Sequence, residues 1–135
     1  MTGYTGTPLA RKLSLKPGLR LWWDGMPDSV RAEIESEHLP LDLLDRAESP
    51  IDAAHIFVTS RAVMERKLAD LRLLLAPTGF VWVSWPKKSS GVATDSTEDG
   101  IRDSILPRTD LVDVKVCSVD SVWSGLKLMI RRECR

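Results

Sequence analysis

Ala53-Ala54-His55-Ile56-Phe57-Val58-Thr59-Ser60, the helical run that follows, and Phe80-Val81-Trp82-Val83-Ser84-Trp85 decide the fold. Both flanks are short apolar runs rich in β-branched and aromatic residues, the pattern of strands buried on both faces. Between them Ser60 stands where a helix N-cap belongs, and Met64, Leu68, Leu71 and Leu75 fall on one stripe of a 3.6-residue repeat. Pro77-Thr78-Gly79 is expected to stop that helix. A strand, a helix and a second strand in this order make a parallel pair joined by a crossover.

The same alternation extends outward. Upstream, Thr7 as N-cap with Pro8 at the first helical position opens a helix, and Lys16-Pro17-Gly18 turns the chain into a first strand, Leu19 to Trp23. Pro27 and Asp28 introduce a second helix whose sparse apolar residues are Val30, Ile34 and Leu39. Leu41 to Leu44 is left open between a short strand and a loop. Downstream, a polar loop, Lys87 to Ala93, leads to the N-capping stretch Thr94-Asp95-Ser96-Thr97 and a helix to about Leu106. Two strands close the chain, Leu111 to Val119 and Trp123 to Arg132. Too few residues separate them for a crossover helix, so they form an antiparallel hairpin. The expected architecture is a three-layer α/β domain over 1–135 with a mainly parallel sheet of about five or six strands, the helical segment 1–18 packed on it.

Composition narrows the function classes. The 135 residues are 43% hydrophobic and 28% charged, with 19 basic and 19 acidic side chains. A dedicated nucleic-acid binder shows a basic excess, so nucleic acid is not an expected partner. The charge is unevenly spread: the first eighteen residues carry Arg11, Lys12 and Lys16 and no acid, whereas Asp28 to Asp45 is mainly acidic. No apolar run approaches the length of a bilayer span, no signal-peptide pattern opens the chain, and the two cysteines, Cys117 and Cys134, make neither a disulfide framework nor a metal site. A cytoplasmic setting is the expectation.

In an open parallel sheet, ligands bind beyond the carboxyl ends of the strands. The residues expected there are Asp24, Thr59, Ser60, Ser84, Trp85, Lys87 and Lys88. Ser60 opens a helix, Lys87 and Lys88 add positive charge, Ser89-Ser90-Gly91 could wrap a phosphate, and Trp85 offers a flat wall: together, a pocket for a nucleotide or another anionic small molecule. Thr94, Asp95, Glu98 and Asp99 read as helix caps rather than acid–base pairs, and His55 as a core histidine rather than a base. Trp22 and Trp23 must face opposite sides of the sheet, as must Trp82 and Trp85. An exposed tryptophan would mark a contact with a protein partner or a second copy, with Trp123, Arg131 and Arg132 as a candidate surface and Lys127, Arg131 and Arg132 charging the hairpin edge.

Tyr4-Thr5-Gly6-Thr7-Pro8-Leu9-Ala10, Phe57-Val58-Thr59-Ser60-Arg61, Trp82-Val83-Ser84-Trp85-Pro86-Lys87-Lys88 and Trp123-Ser124-Gly125-Leu126-Lys127 resemble the motifs of a family of small bacterial proteins, common in actinobacteria, that is catalogued as a domain of unknown function. More distantly, Lys16-Pro17-Gly18 before an apolar strand, and the closing hairpin, are similar to class I S-adenosylmethionine-dependent methyltransferases. That resemblance implies a strand order of 2-1-3-4-6-5 with strand 6 antiparallel, S-adenosylmethionine as the candidate cofactor and Asp45 as the acid ending strand 2. The chain departs from those enzymes after Trp23: where they carry a glycine-rich turn, it has Asp24-Gly25-Met26-Pro27. Three functions follow as expectations. They are a ligand-binding or regulatory protein without catalytic machinery, a minimal methyltransferase, and a nucleotide- or anion-binding protein using the Lys87–Lys88 loop.

Overall fold

The computed structural model describes residues 7–135, so the Tyr4-Thr5-Gly6 part of the opening motif lies outside the described residues. The elements in chain order are α1 (Leu9–Lys12), β1 (Arg20–Asp24), α2 (Asp28–Glu35), β2 (Asp42–Leu43), β3 (Ile51–Phe57), α3 (Arg61–Arg72), β4 (Leu75–Pro86), α4 (Glu98–Ile105), β5 (Leu111–Ser118) and β6 (Trp123–Ile130). They form one six-stranded sheet in the order β2-β1-β3-β4-β6-β5. β2, β1, β3 and β4 pair in parallel, and β6 runs antiparallel to both β4 and β5. This is the expected mainly parallel α/β fold, with its antiparallel part confined to β4-β6-β5.

Two apolar layers cover the sheet. On one face, Ala54, Ile56, Val81, Val83 and Trp85 meet Met64, Leu68 and Leu71 of α3 and Ile101 and Ile105 of α4. On the other, Leu21, Ala53, Phe57, Phe80 and Trp82 meet Leu9, Ala10 and Leu13 of α1 and Val30 and Ile34 of α2. The tryptophans divide as strand alternation requires: Trp22 and Trp85 join the first layer, Trp23 and Trp82 the second. The Trp82 indole N–H donates to the Leu13 carbonyl at 2.8 Å, fastening the end of α1 to the sheet.

Several local expectations need correction. Helix α1 starts at Leu9 with Pro8 at the N-cap, and no side chain within it caps it; the Glu37 carboxylate accepts from the Ala10 N–H at 2.7 Å instead. Helix α3 ends at Arg72, and Leu75 begins β4 rather than a fourth helical turn. The leucine run masks this change, because Leu73 is 81% exposed while Leu75 pairs with Ile51 and is buried. Lys127 does not charge a free edge: β6 lies between β4 and β5, and the Lys127 ammonium sits over the Phe80 ring and donates to Ser14 Oγ. The last strand ends at Ile130, and Arg132 lies in a 3₁₀ turn.

Pro77-Thr78-Gly79 ends no helix. It lies inside β4, in a break of register where β3 advances from Ile51 to Ala53 while β4 advances from Leu75 to Phe80. A Cβ on Gly79 would lie 2.7 Å from the Ile51 carbonyl oxygen and 3.0 Å from that of Ala76, and backbone atoms cannot swing aside. Gly79→Ala is therefore expected to cost about 2 kcal/mol, the range of core overpacking, read as a lower urea midpoint at unchanged m-value. At the free edge the β5–β6 register passes from Asp113 to Lys115, leaving Val114 unpaired and 50% exposed. Among the described residues no helix is long and apolar enough to cross a membrane.

Candidate functional site

The carboxyl ends of β1, β3 and β4 carry the residues expected at a ligand edge, and most are engaged by the chain itself. Asp24 ends β1 and its carboxylate is 2.8 Å from the Lys67 ammonium of α3. Thr59 is exposed, and its carbonyl accepts from Thr94 Oγ1 at 2.8 Å and from the Asp95 N–H at 3.2 Å. The 94–95 segment is thereby stapled over the end of β3. Ser60 caps α3, accepting from the Val63 N–H at 3.3 Å, and Asp95 Oδ1 accepts from the Arg61 N–H at 2.7 Å. The anion at this helix N-terminus is thus the protein's own Asp95 carboxylate.

Ser84 leaves the edge altogether. It points to the α1–α2 face, fully buried, and its Oγ is 2.7 Å from His55 Nε2. The His55 ring stacks on Phe57 at 4.3 Å between centroids, and burial lowers its pKa from 6.5 to about 3. The pair is a neutral, satisfied hydrogen bond inside the core. With His55 only 3% exposed and Ser84 fully buried, a substrate has no approach to it.

Lys87 and Lys88 part company. The Lys87 ammonium donates to Ser118 Oγ on the β5–β6 side at 2.6 Å. Lys88 begins a 3₁₀ turn and lines a cavity of about 540 Å³ at the end of β4. Trp85, Pro86 and Val92 give that cavity apolar walls; Thr94, Ser96 and Lys88 give it polar ones. Ser96 is 3% exposed and its Oγ has no hydrogen-bond partner. In the Ser89-Ser90-Gly91 turn the Ser90 and Gly91 N–H groups donate to the Lys87 and Lys88 carbonyls at 2.9 and 3.3 Å, and Ser90 Oγ donates to the Lys87 carbonyl and accepts from the Val92 N–H.

Of the acids nearby, Asp95 caps α3, Glu98 is an ion-pair partner, and Asp99 lies in the first turn of α4. Thr97 Oγ1 accepts from the Gly100 N–H at the start of α4, and Glu98 pairs with Arg102. Among the described residues no group of three or more His, Cys, Asp and Glu could hold a metal ion. Cys117 is half-buried; burial pushes its thiol pKa up against the pull of Lys12, Lys115 and Lys87. Of the seven expected residues, Trp85 and Lys88 line the cavity, and Thr59 borders it through its bond to Thr94. Ser96 and Pro86 were not foreseen as site residues; the only signal for them is that they flank the polar loop.

S-adenosylmethionine needs backbone room after β1 and a free carboxylate for its ammonium or its ribose hydroxyls. Gly25 provides a positive φ of 76°, but a Cβ there would already be 3.3 Å from the Phe57 carbonyl oxygen. The glycine serves close packing against β3, and Asp24 is taken by Lys67. Asp45, the acid expected at the end of strand 2, lies two residues past β2, exposed and in no ion pair among the described residues.

No family model and no curated protein matches the chain. Solved structures do. An S-adenosylmethionine-dependent methyltransferase from Aquifex aeolicus superposes with a TM-score of 0.61 at 13% identity, over 90% of this chain and 87% of that one. A TehB-like S-adenosylmethionine-dependent methyltransferase from Corynebacterium glutamicum gives 0.56 at 12%, over 96% and 90%. A ribosomal protein L11 methylase from Lactobacillus delbrueckii subsp. bulgaricus gives 0.55 at 11%, over 91% and 75%. At such identities the likeness is one of fold.

Proposed function

We propose that this chain is a small-ligand-binding protein on a methyltransferase sheet, taking an anionic molecule with a flat apolar part in the cavity at the end of β4. The observation that carries this reading is the cavity's lining. Trp85 supplies a planar wall, the exposed Lys88 a cation at the mouth, and Thr94 and Ser96 hydroxyls beside them. Concave apolar sites with a few placed polar groups are the usual form of small-molecule sites. A regulatory role follows if occupancy changes how the Lys87–Ala93 loop presents itself to a partner or a second copy.

The similar solved structures favour a second reading, a minimal S-adenosylmethionine-dependent methyltransferase, and its sheet order supports that reading. It requires the Asp24–Lys67 pair to open, or the exposed Asp45 beyond β2 to serve as the ribose-binding acid.

Thermal unfolding with S-adenosylmethionine, S-adenosylhomocysteine, ATP, ADP and inorganic phosphate separates the two. A ligand at about 100 times its dissociation constant adds about 2.7 kcal/mol and raises the midpoint by several degrees. A nucleotide shift that Lys88→Ala abolishes supports the cavity. A methyl-donor shift that survives Lys88→Ala and is lost in Asp24→Asn supports the methyltransferase. No shift with any compound counts against both and leaves the protein-partner reading.

A further inference from the structure

The face formed by α1, β5 and β6 gathers lysines that lie far apart in the chain. The Lys12 ammonium donates to the Ser118 carbonyl at 2.8 Å, and the Lys87 ammonium donates to Ser118 Oγ at 2.6 Å. Two cations therefore converge on one exposed serine. Lys115 reaches back to the Lys12 carbonyl at 3.2 Å, Lys127 donates to Ser14 Oγ, and Lys127 in turn feels the charges of Lys115 and Lys16. Among the described residues none of these lysines forms an ion pair, although Arg20, Arg31, Arg46, Arg61, Lys67, Arg72 and Arg102 all do. The acid of the adjoining turn, Asp120, accepts from the Val122 and Trp123 N–H groups and forms no ion pair with these lysines among the described residues. Like charges brought together without an ion-pair partner make a site that an anion would stabilise.

We propose that Lys12, Lys87 and Lys115, extended by Lys16 and Lys127, bind the phosphate backbone of a single-stranded nucleic acid across this face. The neutral overall charge does not oppose it: the acids that border the face are Glu37, whose carboxylate accepts from the Ala10 N–H of α1, and Asp120 in the turn after Ser118, against five lysines. A row of ammonium groups over a helix and two strands fits a polymer of phosphates better than one small anion, which needs concave surroundings. The row starts at the carboxyl end of β4, beside the half-buried Trp123, which can offer a base part of its ring.

Fluorescence anisotropy with labelled single-stranded oligo-dT and oligo-U of about 12 nucleotides tests this. The expected result is a dissociation constant between about 1 and 100 μM at low salt, with a log–log salt slope near −2, about −0.7 for each of three lysines. K12Q/K115Q is expected to weaken both probes at least about tenfold and to bring the slope near −0.7, while K12R/K115R retains binding, which separates charge from fold. Circular dichroism of both variants confirms that they fold. Tighter binding of oligo-U than oligo-dT would assign RNA, and the reverse DNA. No binding up to about 0.5 mM protein at low salt overturns the proposal, as does binding indifferent to K12Q/K115Q or to salt. Equal competition by poly-glutamate also overturns it, because the face would then read charge alone.

Discussion

Trp82→Ala is expected to lower the unfolding free energy by about 4 kcal/mol. The indole is about 1% exposed in the centre of the α1–α2 face, and a Cβ built on Gly125 would come within 3.1 Å of its ring, so the pocket around it is closely filled. Removing the ring leaves a cavity that the surrounding strands cannot collapse into. It also orphans the Leu13 carbonyl, which receives the indole N–H at 2.8 Å. Trp82→Phe keeps most of the volume and loses that hydrogen bond, and is expected to cost about 1–2 kcal/mol. Chemical denaturation measures both. Hydrogen exchange adds a local readout, since protection in Leu9–Lys12 is expected to fall before that of the strands. A loss under about 1 kcal/mol for the alanine variant would mean that α1 is not held by this residue.

His55 makes the second large effect, and pH reads it. In the native state burial holds its pKa at about 3; unfolded, it returns to 6.5. The unfolded chain therefore binds a proton that the folded chain refuses, so stability is complete above pH 6.5 and falls as pH drops toward 3. The full cost at the lower limit is up to about 5 kcal/mol, and about 2 kcal/mol is lost by about pH 5. Asp110, held low by its Arg72 hydrogen bonds, adds its own loss only below its ordinary value of 3.8, so the interval above that isolates the histidine. His55→Leu combined with Ser84→Ala removes both partners and leaves no orphaned polar atom. That double variant is expected to flatten the stability profile from pH 6.5 down to the carboxylate range. A wild-type profile already flat there would show that His55 can take a proton in the fold.

How much of this was legible in the sequence differs between fold and site. The β3-α3-β4 unit was readable because its apolar residues keep strand and helix periods over lengths where the two differ clearly. The end of α3 was not, since Leu73-Leu74-Leu75 continues the helical repeat into the strand, and the Pro77-Thr78-Gly79 signal belongs to a register break instead. The closing hairpin was predictable from the short link around Asp120. At the candidate site, chain position put Trp85 and Lys88 at the end of β4, where they line the cavity. Type could not show that Ser84 faces inward to His55, that Asp95 already fills the α3 N-terminus, or that Lys87 turns toward Ser118. Those outcomes depend on residues 29 to 34 positions away and on which strand lies beside which. The lysine face was invisible for the same reason, as Lys12 and Ser118 stand 106 positions apart.

The unpaired Val114 on β5 has a bearing on what happens between molecules. A sheet grows into a fibre when an incoming strand of another copy finds an uninterrupted row of donors and acceptors on which to zip. At one border of this sheet that row is broken in the middle of β5, between Asp113 and Lys115; at the other, β2 offers only two residues. A bulge at one border and a two-residue strand at the other are both devices that disfavour the addition of a strand from a second molecule.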